Sequence, residues 1–189
     1  MFLIVACGKD TATPTAVEDS VDPSAALHSL FDEEFQASLE LNPLSATFIG
    51  DFRYNDRIAN SIGPEHIAAT LAHNKKYLAA LLQIDRDALG YQDQLSYDLF
   101  RINLEEEIEG DQYPGHLQPI TQFGSMMSFA VQLGSGSSAH PFVTVKDYED
   151  WLSRIDDMVV WSGQAVANMR EGLQTGVTRP RILMEKAIP

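Results

Sequence analysis

Four prolines punctuate this chain where helices would begin, and that punctuation constrains the fold more than any other feature. Pro23 follows Asp22, Pro43 follows Asn42, Pro64 follows Gly63 and Pro180 follows Arg179. Proline suits the first helical turn, where its missing N–H would lack a partner anyway, and it is disfavoured in the interior. Between these marks apolar residues recur at helical spacing. Leu27, Leu30, Phe31, Phe35 and Leu39 make one stripe; Ile67, Leu71, Leu78, Leu81 and Leu82 a second, running to about Ile84; Leu95, Leu99, Ile102 and Leu104 a third, over about 92–109. Thr144 with Asp147 three residues on is a capping-box variant that opens a fourth helix, which Gly176 can close. Its stripe is Tyr148, Leu152, Ile155, Val159, Val166 and Met169, widened by Trp151, Met158 and Trp161. A fifth helix starts at Pro180 and includes Ile182, Leu183 and Met184. No β pattern competes, and no fixed period of roughly 20–50 residues repeats. The expectation is an all-α bundle of about four to five long helices with one long irregular loop, at about 110–143.

That loop holds Pro114, Pro119, Pro141 and a Gly/Ser run at 134–138, and its Met126, Met127, Phe129, Val131 and Leu133 are apolar enough to need cover. It reads as a loop packed over the helices with a mobile Gly/Ser tip.

The densest mixture of charge, aromatics and breakers follows Asn42-Pro43, which can open a short helix that Gly50 closes. Beyond it stand Asp51, Arg53, Tyr54, Asn55, Asp56 and Arg57, with neither helical nor strand periodicity. Two arginines beside two aspartates can lace a turn by charge-assisted hydrogen bonds. These six residues fit either a structural knot between helices or a wall of a substrate cleft.

With 189 residues, 44% of them hydrophobic, the chain is long enough for one domain with a real core. The net charge of −14 argues against nucleic acid and against an anionic membrane surface as partner. The single cysteine forbids an internal disulfide. It sits in Leu3-Ile4-Val5-Ala6-Cys7-Gly8, which resembles a bacterial lipobox, where Cys7 would be lipidated. Only six residues precede it and none is basic, so the segment reads as a truncated signal or as a chance match in a frayed N-terminus. Residues 9–22, rich in Thr, Ala, Asp and Pro, suit a flexible tether between an anchor and a domain starting at 23. The implied location is the bacterial cell envelope, lipid-anchored or periplasmic, with the membrane met only through the lipid.

Chemistry is sparse. His66 and His73 are seven apart on one expected helix, too far to share one ion, and no His-Glu-x-x-His occurs. No metal ligand and no catalytic residue is assigned. The serines at 125 and 135 lack the strand-borne Gly-x-Ser-x-Gly setting of an esterase nucleophile. Glu105, Glu106, Glu107 and Glu109 crowd a helix C-terminus, where the dipole disfavours anions. They read as a solvated acidic face, or as a cluster neutralised by an outside arginine or a metal.

Several segments in order resemble the bacterial DUF885 family. They are Phe31-Asp32-Glu33-Glu34-Phe35, Asn42-Pro43-Leu44-Ser45-Ala46-Thr47, Gly50 to Arg57, Asp93-Gln94-Leu95-Ser96-Tyr97-Asp98-Leu99, Asp147-Tyr148-Glu149-Asp150-Trp151-Leu152 and Gly176-Val177-Thr178-Arg179-Pro180-Arg181. Members are largely helical, often lipoproteins, longer than this chain and similar to zinc metallopeptidases. The resemblance implies that residues 23–189 are the N-terminal helical part of such a domain, apparently cut at the C-terminus, lining or covering a substrate cleft. It places the zinc motif beyond Pro189, so this chain needs no cofactor of its own and is expected to be inactive alone. Partners would be a peptide substrate or the missing C-terminal catalytic part. Pro114-Gly115-His116 imitates the end of the family's metal motif, but Gly110 and Asp111 stand where His and Glu belong, so His116 is not taken as a ligand. The alternative is a non-catalytic helical lipoprotein that binds a peptide or protein partner.

Overall fold

The computed structural model describes residues 22–121 and 123–187; Cys7 and the expected tether lie outside them. Among the described residues there are seven α-helices and no strand, so the all-α expectation holds. They are α1 (Pro23–Leu41), α2 (Pro43–Phe48), α3 (Pro64–Leu81), α4 (Tyr91–Gly110), α5 (Met126–Leu133), α6 (Val145–Thr175) and α7 (Arg181–Ala187). Three begin on the prolines named above, and the fourth proline immediately precedes α7.

Local chemistry sets the boundaries. Asp22 accepts a hydrogen bond from Ser24 N at 3.1 Å, capping α1. Asn42 behaves differently from a simple N-cap: its side chain donates back to Ser38 O at 3.2 Å, closing α1 rather than capping α2. Thr144 and Asp147 form the reciprocal capping box of α6. Gly176 ends that helix in the left-handed region, φ 81°, which costs glycine nothing.

Helices α1, α3 and α4 pack together around Leu27, Leu30, Tyr77, Leu81, Leu89, Tyr97 and Leu104. Polar pairs brace the same unit. Arg86 grips Asp98 through two bonds of 2.7 and 2.5 Å, and Asp93 accepts from Ser24 at 2.5 Å and pairs with His28 at 3.1 Å. His73 pairs with Glu34 of α1 at 3.0 Å.

The 31-residue α6 lies apart from that unit, against α5 and the 3-10 turn Gly115–Leu117. Two expectations change here. The long loop is broken by α5, whose N-terminus Ser125 and Ser128 close as a capping box. The inner face of α6 is also not the apolar stripe. Its buried residues are Asp150, Arg154, Met158, Trp161, Ala165, Asn168 and Gly172, a repeat of four and three. Tyr148, Leu152, Ile155, Val159 and Val166 face outward and are exposed. Arg154 and Asn168 take the inner face because loop carbonyls there accept their hydrogen bonds, while Asp150 accepts from Lys146 Nζ at 2.6 Å. Gly172 is required for close approach, since a Cβ there would stand 2.5 Å from Val177 O.

Candidate functional site

Two places bring functional groups together, and both are organised by α6. The first is the 51–57 knot. Arg53 Nε donates to both carboxylate oxygens of Asp51 at 2.9 Å, and its Nη2 reaches Gln36 at 2.6 Å. The hydrogen bonds from Arg53 hold the Asp51 carboxyl below its ordinary pKa. Arg53 and Arg57 lie over the Tyr54 ring, at 5.3 and 4.9 Å from its centroid. Arg57 stands 3.9 Å from Asp56. Asn55 is buried, while Arg53, Asp56 and Arg57 are exposed.

Beneath the knot lies Arg154, 0% exposed, which the sequence did not single out. Its Nε donates to Arg57 O at 3.3 Å, and its Nη2 to Tyr54 O at 3.4 Å and to Thr47 Oγ1. Thr47 in turn reaches Asn55 Oδ1 at 2.7 Å. Nη1 meets His140 Nδ1 at 2.9 Å. A guanidinium only donates, so Nδ1 accepts and the imidazole proton sits on Nε2, which donates to Asp147 O at 2.9 Å. His140 is thus fixed as one neutral tautomer. Burial foremost, with the Arg154 charge adding to it, lowers its pKa below the ordinary 6.5. Burial draws Arg154 down to about 10, far enough above neutral to stay charged. Asp157 adds a further tie, accepting from Ile58 N at 2.7 Å.

The second place is a groove of about 760 Å³ between α3, α4 and two loops. Helix α3 contributes His66, Thr70 and Asn74, and α4 contributes Asn103, Glu106 and Glu107. Asp111 and His116 close one end, and Asn42 and Ile62 border it. Asn168 of α6 sets its rim. Its amide donates to Ile62 O at 2.8 Å and to His116 O at 3.0 Å, while Gln164 holds its oxygen at 2.7 Å. The groove differs from the knot in having polar groups to spare. Thr70 Oγ1 is buried out of reach of the groove and without a partner; the Asn74 side chain, 8% exposed, lines the groove and makes no hydrogen bond among the described residues. A buried polar group left unsatisfied costs roughly 1–3 kcal/mol, so such groups are retained where something else completes them. Burial keeps His66 below the ordinary 6.5.

None of Asp51, Arg53, Tyr54, Asn55, Asp56 and Arg57 lines this groove. The acidic run at the end of α4 divides: Glu105 lies 3.6 Å from Arg101, whereas Glu106 and Glu107 line the groove. His66 lines the groove and His73, two turns on along the same side of α3, pairs with Glu34 of α1, so the two do not converge. The groove's signal in sequence was a polar row, His66, Thr70 and Asn74 four apart, along one side of α3.

The family model for "Bacterial protein of unknown function (DUF885)" matches residues 43–189. The chain belongs to the DUF885 family. The match takes in α2 to α7, the knot and nearly all of the groove, and begins after the Phe31–Phe35 segment. No curated protein and no solved structure is a match.

Proposed function

We propose that this DUF885 chain is the N-terminal helical wall of a substrate cleft in a zinc-dependent, peptidase-like lipoprotein of the bacterial cell envelope. The observation that carries the reading is the groove, which lies almost wholly within the matched region and is lined by a largely buried Asn74 side chain without a partner among the described residues. The residues described here do not fit zinc themselves, since no three of His, Cys, Asp or Glu converge among them as a metal requires. Their part is to bind and orient a polypeptide, and no step is routed through metal. Zinc chemistry belongs to a His-Glu motif C-terminal to Pro189, in the part of the protein that would pair with this one.

A protein that continues this chain into such a motif is expected to cleave peptides in a chelator-sensitive way, and residues 1–189 alone are not. Chelator-sensitive hydrolysis by 1–189 alone would overturn the assignment. The anchor is tested separately. Cys7→Ser, with translation begun upstream, should move the protein out of the membrane fraction, and unchanged fractionation removes the lipid anchor. Among the described residues no helix is long and apolar enough to cross a membrane.

A second reading, a non-catalytic helical lipoprotein that binds a peptide or partner, draws on the outward face of α6, where Leu152, Val159 and Leu173 are exposed. Peptide binding by the longer protein without hydrolysis would favour it.

A further inference from the structure

The lining of the α3–α4 groove is chemically one-sided. Glu106, Glu107 and Asp111 bring three carboxylates, and among the described residues no lysine or arginine lines it. His66 and His116 add imidazoles, and burial favours the neutral form of His66. Such a groove repels anions and draws cations. The acidic character is joined by an independent feature on the opposite wall, the Asn74 side chain, 8% exposed and without a hydrogen-bond partner among the described residues. Its amide carbonyl is an acceptor that a cation's N–H groups can complete. A bare divalent ion fits poorly, because no three ligating side chains converge among the described residues. The volume, about 760 Å³, suits an extended organic group rather than an ion.

We propose that this groove binds a protonated primary amine: the ammonium donates to Glu106 or Glu107 on one wall and to the Asn74 amide oxygen on the other. The proposal rests on the cleft reading only in treating the groove as a ligand site, and it requires no hydrolysis. Two sources carry this chemistry, a lysine side chain of a bound peptide and a free polyamine.

The test is calorimetric titration of the 189-residue chain at low salt with three probes: a capped glycine peptide with one central lysine, the same peptide with norleucine, and spermidine. One site per chain is expected for the lysine peptide, with norleucine at least roughly tenfold weaker, as the loss of a charged hydrogen bond implies. The double variant Glu106→Gln, Glu107→Gln, at exposed positions, and Asn74→Ala, checked for its helical melt, should each weaken binding roughly five- to tenfold. Asp156→Asn, on exposed α6 surface, should leave it unchanged. One-site binding of spermidine alone, weakened by the same variants, identifies the free polyamine as the source. Binding that ignores all three groove substitutions, that Asp156→Asn weakens equally, or that is absent for both amines overturns the proposal. Because the readout is binding by this chain, a longer protein that hydrolyses nothing leaves the amine site standing, and failed amine binding leaves the hydrolysis experiment untouched.

Discussion

The knot at 51–57 and the groove on α3 and α4 are both polar, and both are held by a buried polar residue of α6, yet they end in opposite states. Around the knot nearly every donor meets an acceptor: Arg53 with Asp51 and Gln36, Arg154 with Thr47, Tyr54, Arg57 and His140, and Asp157 with Ile58. One exception is the amide nitrogen of Asn55, buried without a partner. In the groove Asn168 satisfies the rim carbonyls, while Asn74 lines it without a partner among the described residues and Thr70 Oγ1 is buried behind it without one. The charges of the knot thus neutralise one another, while in the groove the folded chain bears the cost of a group left without a partner.

The contrast can be broken most directly at Arg154. Arg154→Met keeps the apolar stem but strips hydrogen bonds from two buried carbonyls, Thr47 and His140, and should cost roughly 3–5 kcal/mol, read by urea unfolding at neutral pH. A loss below about 1 kcal/mol would mean that the knot closes without it. Asn168→Ala should cost less, roughly 1–3 kcal/mol, because two carbonyls at the groove rim lose a donor and water can reach them more readily.

Proton uptake sharpens the same contrast. His140 and His66 both have folded pKa values below the ordinary 6.5. The unfolded chain then binds more protons, so stability is full above about pH 6.5 and declines as the pH falls through the folded values. His140→Gln should flatten this decline by up to about 1.4 kcal/mol per pH unit, measured by unfolding between about pH 7 and 5.5. An unchanged slope would show that the Arg154–His140 contact does not hold the imidazole neutral. The smallest effect belongs to the exposed Arg53–Asp51 pair: Arg53→Ala should leave the urea midpoint nearly unchanged, and any loss should fade with salt.

Much of the fold was legible. Proline at the first helical turn marked α1, α2 and α3, and Thr144 with Asp147 marked α6, because these signals act within one turn and need no tertiary context. The inner face of α6 was only partly legible: Met158 and Trp161, which widened the expected stripe, are buried there. Apolar periodicity pointed to Leu152, Ile155 and Val159, while the buried row carries Asp150, Arg154 and Asn168. Arg154 and Asn168 are buried against carbonyls supplied by loops about a hundred residues away, Arg57 and Ile62, and no local pattern encodes such partners. The α5 segment was hidden for a related reason. Met126–Leu133 is short, and the Pro- and Gly-rich stretches around it read as loop. The groove was half visible: the acidic end of α4 drew notice, but Asn74 became informative only once its lack of a partner was on view.

The buried row of α6 has hydrogen-bonding residues toward its two ends and Met158, Trp161 and Ala165 between them. An entirely oily row could slide along its neighbours and find nearly equivalent seats. Here a displacement of one turn, about 5.4 Å, would carry the guanidinium of Arg154 away from its loop carbonyls and pull the Asn168 amide off both rims at once. The helix thus works as a vernier, with two distant marks that coincide at a single axial setting, and the width of the groove is fixed by the same alignment that seats the knot.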